Sequence, residues 1–172
     1  DVPNSVGAPG GAITTLEKYL QAGQKMTELG APKDSKRTMM INPAATTSIV
    51  NGLTGLFQST EQIAQQYEKG LMGIAAGFKW KEAVNIKRHT VGPLGSTPQV
   101  DGAAESGSTI STKGWTTAAA SRLLVGDIIT IEGVYAVNPI TRESTGSLRQ
   151  FTVTANFSSD ASGNGELSIS PA

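Results

Sequence analysis

Arg122-Leu123-Leu124-Val125-Gly126-Asp127-Ile128-Ile129-Thr130-Ile131-Glu132-Gly133-Val134-Tyr135-Ala136-Val137-Asn138-Pro139, with Arg149-Gln150-Phe151-Thr152-Val153-Thr154 after it, is the stretch that decides the fold. Gly126-Asp127 is a turn pair leading into the alternating run Ile128-Ile129-Thr130-Ile131, and Gly133 breaks that run where the chain must bend. The second run returns as a strand rich in β-branched and aromatic residues. No nucleophile, base or metal-ligand set stands in either run, so the chemistry here is that of a β-scaffold.

Working outward, further strands are expected at 108–112, 127–132, 134–138, 148–156 and 166–170, spaced by turn clusters such as Ser144-Thr145-Gly146 and Ser162-Gly163-Asn164-Gly165. Short strands at that spacing argue for a small barrel or sandwich. Upstream, Gly92-Pro93-Leu94-Gly95-Ser96-Thr97-Pro98 concentrates punctuating residues, and helical periodicity stops there. A linker at 91–99 therefore separates two modules, 1–92 and 93–172, and is expected to be cut early by proteases.

In the first module, Thr14 and Glu17 form a capping-box pattern ahead of a helix whose apolar face is Leu16, Tyr19, Leu20, Met26 and Leu29, with Gly30 and Pro32 as its stop. Arg37-Thr38-Met39-Met40-Ile41 reads as a buried strand. Asn42-Pro43 ends it and starts a second helix, since Asn caps well and Pro fits the first turn. Ser59 and Gln62 mark a third helix that closes at Gly70. The chain is then expected to be extended from Met72 to Ala76, to turn at Gly77, and to run again through Ala83-Val84-Asn85-Ile86-Lys87. The fold class is α+β.

Composition narrows the function. The 172 residues suit one ordinary domain or two small ones, and 14 basic residues balance 14 acidic ones. No whole-chain field calls for nucleic acid or an anionic membrane surface. Residues 1–95 carry ten basic and seven acidic groups and residues 96–172 four and seven, an asymmetry too small to argue from. There is no cysteine, hence no disulfide and no thiolate metal site. No apolar run reaches the roughly 18 residues of a membrane span, and Asp1-Val2-Pro3-Asn4-Ser5 lacks a charged-then-apolar signal pattern.

Motifs for catalysis are few. His89 is the single histidine, so a triad would have to run through it, and no Gly-x-Ser-x-Gly elbow occurs. It reads as an exposed or interface histidine. Glu132, Glu143 and Glu166 read as solvating groups on strand faces and turns. The glycines Gly70, Gly73 and Gly77 are turn punctuation, because no Gly-Lys-Ser/Thr ends the run. Lys79-Trp80-Lys81 with Lys87 and Arg88 interleaves basic and aromatic residues; without a repeated pattern it reads as a solvated strand face or a protein contact rather than a nucleic-acid surface. Trp115, Phe151 and Phe157 are expected in the core of the β module, where few other large side chains are available.

The opening stretch resembles the inserted β-barrel domain of the major capsid (coat) proteins of tailed bacteriophages, where a "GDxxTIxGV…NP…QFTV" pattern recurs. Two further segments are similar to the same family, in the same order. Met39-Met40-Ile41-Asn42-Pro43 matches its strand, Asn-Pro, helix step. Tyr67-Glu68-Lys69-Gly70 through Ile74-Ala75-Ala76-Gly77-Phe78, ending at His89-Thr90-Val91-Gly92, matches the segment "Y…G…(V/I)AGF" that leads up to the inserted domain. Together the matches span most of residues 13–170.

The resemblance implies a Hong Kong 97-like phage capsid fold, here as a helix/strand module at 1–92 carrying part of the peripheral and body domains, with an inserted small β-barrel at 93–172. The chain is shorter than a full coat subunit and offers no candidate for the long body helix, so a fragment is expected, with closure of the barrel left open. The implied function is structural and non-enzymatic: self-assembly into the icosahedral shell around the genome, in a virion assembled in the bacterial cytoplasm. Partners are other copies of the coat protein, with scaffolding and portal proteins; no membrane, no sequence-specific nucleic-acid binding and no cofactor or metal are implied. Candidate subunit-interface residues are Lys79, Lys81, Lys87 and Arg88 for charge contacts, and Asn138, Arg142 and Glu143 for a projecting turn. The rival reading is a phage tail or cell-surface glycan-binding β module, which needs two aromatic rings exposed side by side. A hydrolase comes third and needs a pocket with His89 hydrogen-bonded to a carboxylate.

Overall fold

A computed structural model describes residues 4–7, 13–52, 73–103, 105–117 and 121–172. The chain is α+β and divides into two units. One comprises Val6–Arg88 with Asn138–Glu143; the other comprises Asp1–Ser5, His89–Val137 and Ser144–Ala172. No helix among the described residues is long and apolar enough to cross a membrane.

The first unit holds helix α1 (Leu16–Glu28), strand β1 (Thr38–Ile41), helix α2 (Pro43–Gly52), and strands β2 (Ile74–Ala75) and β3 (Phe78–Glu82). Asn42 caps α2 as expected, its Oδ1 accepting from the Ala45 amide at 2.7 Å. The capping box at α1 does not form. Thr15, not Thr14, is the N-cap, and no side chain bonds the open amides. The helix face is also narrower than its sequence suggests: Tyr19 is buried, whereas Leu20, Met26 and Leu29 are exposed.

Strand β1 is only half covered, with Met40 exposed. The buried residue at its start is Arg37, whose guanidinium donates to the carbonyls of Gly23, Ala31 and Pro32 and to Thr27 Oγ1. Arg37 thus ties α1 to the segment after it, through the Gly23 carbonyl inside the helix and those of Ala31 and Pro32 beyond its end. The run expected at 83–87 is displaced: β3 starts at Phe78, because Phe78 and Trp80 alternate into the core and the two-residue turn Ala76-Gly77 joins β2 to β3. The sheet order is β1-β3-β2, with β1 parallel to β3. Tyr19 and Trp80 meet edge to face at 4.9 Å, the Tyr19 hydroxyl donates to Ile13 O at 2.7 Å, and burial pushes the phenol up to about 12. Partial burial lowers the Lys25 ammonium against the opposing pull of Glu28. The helix expected from Ser59 to Gly70 lies outside the described residues.

The second unit is a curled antiparallel sheet of β4 (Gln99–Val100), β5 (Thr109–Lys113), β6 (Ile128–Val137), β7 (Ser144–Val153) and β8 (Gly165–Ser170), in the order β4-β5-β8-β7-β6. Strands 127–132 and 134–138 are one strand. Gly133, at φ +82°, sits where the register of β6 against β7 shifts between Thr130 and Tyr135, so it bends a bulged strand instead of ending it. Ser144-Thr145-Gly146 is strand, and the reversal falls at Asn138–Glu143. Among the described residues β4 and β6 do not pair, so the sheet curls without closing into a barrel. Its core is Ile110, Trp115, Leu123, Phe151, Val153, Phe157, Leu167 and Ile169, which includes the three aromatic residues expected there.

Candidate functional site

The most constrained polar group of the second unit is Asp127, 1% exposed at the start of the decisive strand. Its Oδ2 accepts from the amides of Leu124 at 2.8 Å and Gly92 at 3.1 Å, and its Oδ1 lies 2.7 Å from Nε2 of His89. Its own amide donates to Leu124 O, closing the 124–127 turn, while Val153 N donates to Asp127 O and anchors the turn to β7. One buried residue thus ties three segments together: its carboxylate holds the lead-in at 89–92 and the turn, and its backbone carbonyl holds the sheet. The sequence signal was the Gly126-Asp127 turn pair, but nothing local pointed to partners thirty-five residues upstream.

His89 is therefore hydrogen-bonded to a carboxylate, half of what a hydrolase reading asks for. Its side chain is 44% exposed, and among the described residues no hydroxyl is hydrogen-bonded to its second nitrogen. A cavity of this unit, about 440 Å³, lies elsewhere, with Trp115, Leu123, Ile110 and Leu167 as its apolar floor and neither His89 nor Asp127 in its lining. The arrangement suits a clamp that fixes backbone.

All seven candidate interface residues fall in the first unit. Lys79 and Lys81 share the exposed face of β3, opposite the buried Phe78 and Trp80. Lys87 and Arg88 are exposed in the segment after it. Asn138 is half-buried and holds its own turn, its Oδ1 accepting from the amides of Ile140 and Thr141, while Asn138 N donates to Glu143 O and Arg142 N to Asn138 O. Arg142 and Glu143 are exposed. The turn residues are thus bonded to one another, and no ion pair joins them to the four basic residues among the described residues. Of the aromatic side chains in the second half, Trp115, Phe151 and Phe157 are buried and Tyr135 is exposed. Among the described residues, no group of three or more His, Asp or Glu side chains could hold a metal.

A scan against protein-family models finds no match, and a search of curated proteins finds none.

Proposed function

We propose that the chain is part of the major capsid (coat) protein of a tailed bacteriophage, with a Hong Kong 97-like shell fold and a structural, non-catalytic role in the icosahedral shell around the genome. One observation carries the reading: the "GDxxTIxGV…NP…QFTV" residues form a bulged hairpin on a curled sheet, following a helix–strand unit in the order that the resemblance implies. The exposed basic face of Lys79 and Lys81 and the rigid Asn138–Glu143 turn then serve contacts between neighbouring copies in hexamers and pentamers. Scaffolding and portal proteins are the other partners, and the virion is the site of action.

Sedimentation at rising concentration tests the self-association. The chain should show weak, concentration-dependent association without closed shells, reduced in a Lys79→Glu, Lys81→Glu variant. A strictly monomeric protein at millimolar concentration contradicts the reading. The glycan-binding alternative gains nothing here, because only Tyr135 presents an exposed ring in the second half.

A further inference from the structure

The cavity of the curled sheet is bounded by strand edges. Along a strand, side chains alternate faces, so a cavity lying on one face meets every second residue. Here Ile129, Thr130, Ile131 and Glu132 line it in succession, and across from them so do Pro98, Gln99 and Val100. Such consecutive lining means that β6 and β4 present their edges to it. These are the two outer strands of the sheet.

The hydrogen-bond phase agrees. Val153 N donates to Asp127 O, which makes Ile128↔Thr152 a pair without mutual bonds; two residues on, Thr130↔Gln150 is another. The backbone N–H and C=O of Ile128 and Thr130 therefore point away from β7, towards the open edge. On the other lip, Asp101 N donates to Ser111 O, so Val100↔Thr112 is likewise unbonded and the Val100 backbone points away from β5. Between the lips the floor is apolar, and its polar atoms are already used: Trp115 Nε1 donates to Thr112 Oγ1, which donates to Gly165 O. Among the described residues Glu132 is the one charged residue of the lining, and it is exposed.

We infer that this groove is a strand-addition site for an extended segment of a partner polypeptide. The segment has apolar side chains at alternate positions and a lysine or arginine beside Glu132. Backbone groups of Ile128 and Thr130 supply the pairing, the floor of Trp115, Ile110 and Leu167 takes the alternate side chains, and Glu132 selects the basic residue. A sugar or an anion finds no free donor on the floor, and a compact apolar molecule leaves both edges unpaired.

The probe is an acetylated and amidated peptide of about six residues, the usual strand length, alternating valine with threonine and one lysine, titrated into isotope-labelled protein and followed by NMR. Saturable shifts are expected at the amides of Val100, Ile128 and Thr130 and at the Trp115 indole, with slowed exchange of the Thr130 amide. Glu132→Lys, an exposed change that leaves the core intact, should weaken the lysine peptide roughly two- to fivefold, as a surface charge pair of up to about 1 kcal/mol allows. A matching glutamate peptide should then recover the loss. The inference is overturned if the peptide gives no saturable shift at millimolar concentration, or if a version N-methylated at alternate backbone positions binds equally well. It is overturned too if anilinonaphthalene sulfonate saturates the groove while the peptide does not.

Discussion

Oδ1 of Asp127 lies 2.7 Å from Nε2 of His89, and the two members of the pair are buried very unequally: 1% exposure for the aspartate side chain against 44% for the histidine. The inequality sets the energetics. The aspartate also accepts the Gly92 and Leu124 amides, so Asp127→Ala leaves two backbone donors without their acceptor and should cost about 2–4 kcal/mol. His89→Ala loses one contact at a half-exposed ring and should cost under about 1 kcal/mol. Denaturant unfolding of both variants checks the order; equal losses would remove the buried carboxylate from its role as the tie.

Gly92 belongs to the same tie. A Cβ there would lie 2.6 Å from Arg122 O and 3.0 Å from Leu123 Cα, which backbone cannot yield. The linker expected to be cut first is thus pinned near its start, at Gly92, and an exposed segment with tryptic sites lies upstream, at Val84, Asn85, Lys87 and Arg88. Brief trypsin treatment should cleave after Lys87 or Arg88 and leave 89–99 attached to the second unit. Early cutting within 91–99 by a broad-specificity protease would show that the Asp127 contact does not hold.

Phe151 is 6% exposed and pairs across the ladder with half-buried Ile129. Truncating it to alanine should cost about 3–5 kcal/mol, by lost transfer energy and an unfilled cavity. Ile129→Asp should also destabilise the unit, since the side chain packs against the core and a charge there is poorly solvated. Thermal or denaturant melting measures both, and an unchanged melting temperature would take these residues out of the core.

Tyr19 links the first unit to pH. Its phenol, pushed up to about 12 by burial, ionises near 10 in the unfolded chain. The unfolded state then loses its proton first, so the stability contributed is complete below about pH 10 and falls as pH rises towards 12. Tyr19→Phe should flatten that decline. Tyrosine absorbance and denaturation across this range test it, and an identical alkaline slope in the variant would count against burial of the hydroxyl.

Much of the β unit was legible because its signals are local. Gly126-Asp127, the Ile128–Ile131 alternation and the 149–153 run carry turn and period directly, and Trp115, Phe151 and Phe157 were core by scarcity of alternatives. What was misread depends on distance. Gly133 looks the same in sequence whether it ends a strand or bulges one, and the β7 partner decides. Ser144-Thr145-Gly146 has turn composition yet is held in a ladder. Leu20, Met26 and Leu29 lie at helical spacing yet are exposed, since burial of a helix face is not a local property. The Asp127 tie to Gly92 and His89 crosses more than thirty residues, beyond any motif. So does the open edge between β4 and β6, which exists only once the strand order is known.

The coat-protein reading is tested most directly by mass spectrometry of DNA-filled tailed particles, banded on a density gradient from the strain that encodes this chain. Peptides from it, such as the tryptic segment from Leu123 to Arg142, should belong to the most abundant protein of the particle, far above the portal in copy number. Their absence, or their presence at the few copies per particle expected of a tail component, would contradict the account.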